Sequence, residues 1–176
     1  NYAMIAPMIC ERNNNEKNYL SSRNNPYEVT EVKGFALMIN KSVLSEIGLF
    51  DENFFLYFEE IDLCRRVIKE KKKIYIVPSA LVDHHGGQSH DKSLNIQMEL
   101  SRNWHYMWSK YYFYNKHFGT VQSILKILPN FLSALIKFIV FSILNKKDLK
   151  KIYFCRMNGI YNSIIGRKAW YRPQIS

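Results

Sequence analysis

The chain has 176 residues, of which 47% are hydrophobic. That is enough apolar material for one packed domain, which excludes a disordered or low-complexity chain. The net charge of +10 is unevenly distributed, because residues 1–100 carry 12 basic and 14 acidic side chains, whereas residues 101–176 carry 13 basic and one acidic. The basic C-terminal part predicts an acidic partner there, either phospholipid or nucleic acid.

Cysteine usage bears on the cellular setting. Cys10, Cys64 and Cys155 are an odd number and lie far apart, so they match neither a disulfide framework nor the spacing of zinc ligands. The first residues lack the basic-then-apolar order of a signal peptide. The cysteine pattern favours a reducing, cytoplasmic setting.

The N-terminal part alternates buried and polar segments. Tyr2–Cys10 is predicted to be a buried strand, followed by an Asn-rich surface loop. Val32–Ile39 is predicted to be a second buried strand, with Gly34 where a side chain would obstruct the close approach of backbone or ligand. Asn40 is predicted to cap a short helix that Gly48 ends.

The middle of the chain contains an acidic helix. Phe50–Phe58 is predicted to be an aromatic-rich loop, and a helix is predicted from Glu59 onwards. Three carboxylates fall in its first turn, where the helix macrodipole favours negative charge. Ile74–Val77 is predicted to be a strand ended by Pro78, with Ala80–Val82 as a further short strand.

The C-terminal part is predicted to be helical. Residues 96–117 carry Trp104 and Trp108 at helical spacing, for which packing is the first explanation. Residues 121–144 are the most apolar stretch. Lys126, Pro129 and Lys137 interrupt it, which argues against a simple membrane-spanning helix.

The polar residues of this apolar stretch follow a pattern of their own. Lys126, Asn130, Ser133 and Lys137 are spaced by 4, 3 and 4 residues, so they form one narrow polar stripe on a wide apolar cylinder. This pattern is typical of a helix that lies in a membrane interface. The basic run at residues 145–151 would then lie among anionic headgroups.

The order of several motifs points to a family. The segments that carry it read GFALMINKSVLSEIGLFDENFFLYFEEIDLCRRV and IYIVPSALVDHHGGQS. Together they resemble the C-terminal half of the catalytic domain in family 2 glycosyltransferases, particularly the rhamnosyltransferase-like enzymes that build bacterial surface polysaccharides. The resemblance extends over roughly Tyr2–Gly119. It implies an α/β fold, with the C-terminal portion of a Rossmann-like glycosyltransferase A fold over residues 1–119 and a basic, amphipathic helical tail over residues 120–176.

The resemblance also implies a reaction, the inverting, metal-assisted transfer of a sugar from a nucleotide-diphosphate donor to an acceptor hydroxyl. Glu60 falls at the position of the catalytic base, where the family usually has Asp, so its carboxylate is one methylene longer. Glu59 precedes it in the same motif. Asp62 and Arg66 match supporting positions, which orient the base, pair within the site or touch the donor.

Three further positions are assigned by the resemblance. Gly34 falls where the family brings its backbone close to the sugar donor, and Asp51 closes the loop that leads to the base. His84 matches a ligand of the divalent cation, Mg²⁺ or Mn²⁺, and His85 is the neighbouring alternative.

One departure from the family pattern concerns the donor. The family has a nucleotide-binding half with an Asp-x-Asp motif, and this sequence contains no Asp-x-Asp. We therefore expect this chain to be the C-terminal piece of a longer protein, without the half that binds the nucleotide sugar.

Other interpretations compete with the enzyme. Acidic residues at a helix start often reflect dipole placement alone, and a His pair before Gly-Gly is more often an exposed turn. The acceptor is expected to be a lipid-linked saccharide at the cytoplasmic face of the membrane, since that explains an apolar, basic tail. The alternative is a non-catalytic, membrane-associated remnant that acts as an interaction module. Nucleic-acid binding is not expected, because no known module or aromatic-interleaved basic patch is present.

Overall fold

The computed structural model describes residues 2–10, 25–83 and 95–173. Within these ranges the chain is a mixed α/β protein with two compact units, one formed by residues 2–10, 25–51 and 59–83 and the other by residues 52–58 and 95–173. The elements are β1 (Tyr2–Cys10), β2 (Tyr27–Val29), β3 (Met38–Ile39), α1 (Lys41–Ile47), α2 (Glu59–Lys69), β4 (Lys73–Asp83), α3 (Asn95–Phe118), α4 (Thr120–Ile143) and α5 (Lys147–Ile164).

The first unit is built on a four-stranded sheet with the order β2-β4-β1-β3. The central strands β1 and β4 are parallel, while the edge strands β2 and β3 are antiparallel to their neighbours. Parallel neighbours need a crossover connection, and α1 and α2 lie in it. Met4, Leu44, Leu63, Val67 and Ile74 are fully buried in the core that joins the helices to the sheet.

The expected second strand, Val32–Ile39, is wrong over most of its length. Only Met38–Ile39 pairs with the sheet, with Ile39 opposite Met4 of β1. The preceding residues turn around positions 34–36, because this segment passes beside the start of α2 instead of extending the sheet. The edge strand Tyr27–Val29 was not predicted, since three residues are too few for an alternating pattern.

Pro78 does not end a strand, which corrects the expected pair of short strands. β4 continues from Lys73 to Asp83, and its register with β1 jumps from Pro7–Val77 to Met8–Leu81. Residues 78–80 therefore form a bulge. Proline is tolerated there because its missing N–H is not needed for the ladder.

The two helices of the first unit are confirmed. α1 ends before Gly48, whose φ of 85° is the left-handed conformation that glycine tolerates. Asn40 occupies the N-cap position, but its side chain makes no bond to the helix. It donates instead to the carbonyl of Tyr2 at 3.2 Å, so it joins the start of α1 to β1.

The second unit contains the three long helices, so the division falls before α3, whereas the expected boundary lay at residue 119. Trp104 and Trp108 are buried, which confirms their interpretation as packing residues. Trp104 Nε1 donates to Asn158 Oδ1 of α5 at 2.8 Å. A Cβ at Gly159 would overlap the carbonyl oxygen of Trp104, so α3 and α5 approach each other at backbone contact.

The aromatic-rich segment Phe50–Phe58, which precedes α2, belongs partly to this helical unit. The Ser109 hydroxyl of α3 donates to the carbonyl of Leu56 at 2.8 Å. The rings of Phe54 and Tyr112 are 4.9 Å apart in an edge-to-face arrangement. As predicted, the segment has neither helix nor strand, and it is ordered by its side chains against α3.

α4 is one continuous helix of 24 residues with Pro129 inside it, which confirms the helix expected over this apolar stretch. Its length of about 36 Å and its composition are sufficient to cross a membrane. Its apolar residues are largely uncovered: nine of them are between 42% and 79% exposed, namely Val121, Ile124, Leu125, Leu128, Leu132, Ile136, Ile139, Val140 and Ile143.

Three residues of the predicted polar stripe contact the neighbouring helices. Asn130 Oδ1 accepts a hydrogen bond from Lys110 Nζ of α3 at 3.0 Å. Lys126 Nζ lies 5.2 Å from the ring centroid of Tyr114 in α3, and Lys137 Nζ lies 5.3 Å from that of Tyr153 in α5. Lys126 and Lys137 nevertheless stay exposed, as does Ser133, the fourth residue of the stripe. The stripe therefore lies along the edge of the packed side, which carries the buried Ser123, Ile127 and Ala134, and most of the exposed remainder of α4 is apolar.

Candidate active site

A cavity of about 620 Å³ lies in the first unit beside the start of α2. The strands β1, β2 and β4 form part of its wall, and the segment of residues 31–35 forms another part. Its charged residues are Glu31, Lys33 and Glu60, and its aromatic residues are Tyr27 and Phe35. An apolar recess with a few convergent polar groups is the usual form of a small-molecule site.

Glu60 is the residue of this cavity whose protonation is most affected by its surroundings. Burial is the largest effect and raises the pKa of its carboxyl above the usual 4.5. The charges of Glu59 and Glu31 raise the pKa further, while hydrogen bonds from the backbone N–H groups of Glu60 and Ile61 act in the opposite direction. Within the described ranges, Glu60 Oε2 is buried and accepts no hydrogen bond. It is therefore available to accept a proton.

Gly34 makes room for this carboxylate. A Cβ added to Gly34 would lie 3.3 Å from Cβ of Glu60, which is tighter than most Cβ contacts, and 3.6 Å from its Cγ, which is ordinary van der Waals contact. The sequence predicted a close approach at Gly34, and the group approached is the side chain of Glu60. A larger residue at position 34 would displace that side chain.

Asp62 and Arg66 form an ion pair that fastens α2 to the end of α1. Asp62 is completely buried, and its Oδ2 accepts from Arg66 Nε at 2.9 Å. Arg66 Nη1 donates to the carbonyls of Ile47 at 3.1 Å and Gly48 at 2.7 Å, and its Nη2 donates to that of Leu49. Neither residue lines the cavity, so these contacts favour the pairing role among the three that the resemblance suggests.

The remaining residues from the motif are more dispersed. Glu59 Oε2 is buried without a hydrogen-bond partner in the part of the chain that the structure describes. Asp51 lies in the connection between α1 and α2, outside the cavity wall. His84 and His85 lie outside the described residues.

The described residues do not by themselves form the metal centre that the resemblance implies. Across residues 2–10, 25–83 and 95–173, no group of three or more His, Cys, Asp and Glu side chains is placed to hold a metal ion. Among the carboxylates in these ranges, only those of Glu59 and Glu60 offer buried oxygens without hydrogen-bond partners. Two neighbouring carboxylates are fewer oxygen ligands than Mg²⁺ takes.

Glu31, Lys33 and Tyr27 are cavity residues that the sequence analysis missed. The motif strings that carry the resemblance begin at Gly34, so they assign no role to these three residues, which precede it. Buried Val32 between exposed Glu31 and Lys33 is an alternating pattern that would have placed the two charges on one side of the segment.

Comparisons with known proteins give partial matches. The chain is 37% identical over 73 residues to the N-acetylglucosaminyl-diphospho-decaprenol L-rhamnosyltransferase of Mycobacterium tuberculosis, in strains CDC 1551 and H37Rv. It is 41% identical over 46 residues to the low-salt glycan biosynthesis hexosyltransferase Agl10 of Haloferax volcanii. No family model and no solved structure matches the chain.

These matches cover minor parts of the proteins compared. The mycobacterial match includes 40% of this chain and 24% of the relative, and the haloarchaeal match includes 26% and 15%. The chain thus spans about a quarter of the length of the mycobacterial relatives. Over these segments it is similar to glycosyltransferases of glycan biosynthesis.

Replacing Arg66 by Gln should destabilise the first unit. The substitution leaves the fully buried Asp62 without its cation, so we expect the free energy of unfolding to fall by about 3 kcal/mol. Urea denaturation followed by circular dichroism measures the change. Arg65→Gln, at an exposed position of the same helix, is the matched control and should cost about 1 kcal/mol or less. Equal losses for the two variants would contradict the stabilising role of the pair.

Proposed function

We propose that the chain is part of an inverting glycosyltransferase in cell-surface glycan synthesis. The donor is a nucleotide-diphosphate sugar, and the acceptor is a hydroxyl of a lipid-linked saccharide or polysaccharide. The observation that carries this proposal is the desolvated carboxylate of Glu60, without a hydrogen-bond partner at Oε2 within the described ranges, beside a 620 Å³ cavity. The partial similarity to named glycosyltransferases supports it.

The proposed fold is the C-terminal portion of a Rossmann-like glycosyltransferase domain. Its support is the parallel pair β1 and β4 with α1 and α2 in the crossover between them, an arrangement found in doubly wound sheets. The nucleotide-binding half is expected in sequence that precedes the segment described here.

In the proposed reaction Glu60 is the general base. Its carboxylate takes the proton from the acceptor hydroxyl, and the oxygen attacks the anomeric carbon of the donor. The bond from that carbon to the phosphate oxygen breaks on the opposite face, and the nucleoside diphosphate leaves with the electron pair. A base whose pKa is raised towards the working pH accepts a proton more readily than an ordinary carboxylate. Burial of Glu60 provides this increase.

The other site residues have supporting roles. Gly34 allows Glu60 its position by lacking a side chain. Asp62 and Arg66 hold the helix that carries Glu60 against the end of α1. The proposal keeps a divalent cation, Mg²⁺ or Mn²⁺, to neutralise charge on the leaving diphosphate, with ligands that include residues outside the described ranges.

A lipid-linked acceptor is proposed from two observations. The name of the mycobacterial relative specifies a diphospho-decaprenol substrate. In this chain α4 has an exposed apolar side, whereas monomeric soluble proteins rarely expose large apolar patches. We propose that this side of α4 enters the cytoplasmic leaflet of the membrane.

Glu60→Gln in the natural protein should abolish sugar transfer. The amide keeps the shape of the side chain but cannot accept the proton, so we expect turnover to fall by about 10²–10⁴-fold, measured by release of nucleoside diphosphate. Glu70→Gln, which removes an exposed carboxylate just after α2, is the matched control and should retain turnover.

A stability measurement separates this loss from misfolding. The fold favours the protonated form of Glu60, so the residue's contribution to stability is full below pH 4.5 and is lost as pH rises through the raised pKa. Gln never ionises, so Glu60→Gln should be at least as stable as the parent at neutral pH. Unchanged turnover in this variant would favour the non-catalytic interaction module.

The pH dependence of the parent should report the same group. The base must be deprotonated, so kcat/KM should rise with pH through the pKa of free-enzyme Glu60. Because burial raises that pKa, we expect the acidic limb to lie above pH 4.5. Steady-state rates across the acidic range measure it. A limb at or below pH 4.5 would show that the base is not a desolvated carboxyl.

Charges on the exposed side of α4 should prevent membrane binding. In the double variant Leu125→Lys with Ile136→Lys, we expect binding to phosphatidylglycerol vesicles to weaken by at least about tenfold, measured by flotation. Both side chains are exposed, so folding should be retained. Met38→Lys with Leu81→Lys adds the same charge at exposed apolar positions of the first unit, and this control should still float. Equal flotation of both double variants would contradict the proposed orientation of α4.

A further inference from the structure

A second cavity, of about 740 Å³, lies within the helical unit. Leu100 of α3, Phe138 of α4 and Phe154 of α5 form apolar parts of its wall, and Tyr171 contributes a further ring. The first turns of α5 add three lysines, Lys147, Lys150 and Lys151. Neither the sequence motifs nor the similarity to known proteins assigns a role to this cavity.

The lysines concentrate positive charge on one side of the cavity. They are spaced by three and one residues, so they lie on one face of α5. In residues 95–173 no carboxylate forms an ion pair with any of them. Lys150 Nζ lies 5.5 Å from the ring centroid of Phe138, so a cation stands directly beside the apolar wall.

The start of α5 adds to the positive potential on this side of the cavity. Lys146 at the N-cap provides no side-chain hydrogen bond to the first turn, which also carries one carboxylate, Asp148. Three ammonium groups therefore stand against one carboxylate at the start of α5. The positive end of the helix macrodipole lies at the same place. Cations and an uncapped helix start together favour a phosphate or diphosphate group.

The apolar wall favours a hydrocarbon chain attached to that anion. Phe138 is followed on α4 by Ile139, Val140 and Ile143, which belong to the exposed apolar side. A chain leaving the cavity along α4 would therefore remain on apolar surface. The ligand suggested by these contacts has an anionic head and one long apolar tail.

We propose that this cavity binds the diphosphate of an isoprenoid-linked acceptor, with the first isoprenoid units against Phe138 and Phe154. The proposal rests on the proposed function for the identity of the lipid. Charge favours a diphosphate over an ordinary phospholipid, because two phosphate charges match three ammonium groups better than the single charge of phosphatidylglycerol.

The test uses geranylgeranyl diphosphate, a short isoprenoid diphosphate, as the probe. The complete 176-residue chain is titrated with phosphatidylcholine vesicles that contain this probe, or that contain phosphatidylglycerol at equal surface charge. The parent chain should bind the first kind of vesicle at least about tenfold more tightly. In the triple variant Lys147→Gln, Lys150→Gln, Lys151→Gln, we expect the affinity for the probe vesicles to fall about 100-fold, because each well-placed cation contributes roughly 1 kcal/mol.

A charge-matched variant distinguishes a site from general attraction. Lys116→Gln, Lys126→Gln and Lys168→Gln together remove three cations of the same unit that lie outside the cavity, and we expect them to change binding by less than about threefold. Gln97→Trp keeps every charge but narrows the cavity, so it should also weaken binding of the probe. Equal loss in the two triple variants, or equal affinity for phosphatidylglycerol vesicles, would overturn the proposal.

The outcome is independent of the transferase chemistry. The assay contains no sugar donor and measures no turnover, and Glu60→Gln should bind the probe as the parent does. If Glu60→Gln retains turnover but the lysine variant loses the probe, the transferase proposal fails and the diphosphate site stands. If Glu60→Gln loses turnover but the lysine variant binds the probe as the parent does, the diphosphate site fails and the transferase proposal stands.

Discussion

A carboxylate in the first turn of a helix is stabilised by the macrodipole, and the same carboxylate is destabilised when it loses contact with water. For Glu60, desolvation is the largest effect and raises the pKa, while hydrogen bonds from the first-turn N–H groups of Glu60 and Ile61 lower it. Other residues of the first unit hold the Glu60 side chain in this position. Asp62 and Arg66 fix the helix, and Gly34 leaves space beside the side chain. Changes to any of these residues act on the proposed chemistry through the position and protonation of one acid.

The helical unit separates polar and apolar surfaces in an unexpected way. A polar stripe on an apolar helix is ordinarily the side that faces water. In α4 Lys126 and Lys137 stay exposed yet reach aromatic rings of α3 and α5. The stripe thus borders the side that packs on the other helices, and the apolar side is left uncovered. Lysine ammonium groups over aromatic rings make such packing possible, because the ring face attracts a cation.

Much of the fold could be predicted because its signals are local. The start of α2 follows from carboxylates ahead of an apolar repeat, and the end of α1 follows from Gly48. Predictions failed where distant residues decide the outcome. Residues 32–37 are apolar enough for a strand, yet the segment turns beside Glu60. Pro78 reads as a strand end, yet a bulge opposite β1 accommodates it.

In the candidate site, too, local features could be predicted and features that depend on distant residues could not. The type and position of Glu60 could be predicted from the motif. Its raised pKa depends on burial beside the cavity wall and on the charge of Glu31, which come from other parts of the chain. Three acceptors of Arg66 are backbone carbonyls 17 to 19 residues away. Because every residue has a backbone carbonyl, residue types do not indicate which carbonyls accept. The cavity of the helical unit depends on α3, α4 and α5 together, so the sequence indicated only the basic run at residues 145–151.

The uncovered side of α4 also affects how this polypeptide behaves in water. In water, chains presenting such a surface associate with one another, and the cost of that exposure grows with its apolar area. If α4 enters a bilayer as proposed, newly made molecules would depend on chaperones or prompt delivery to that bilayer. We therefore expect purified material to self-associate in water unless detergent micelles or nanodiscs cover this helix, and such association would originate from α4 rather than from a misfolded sheet.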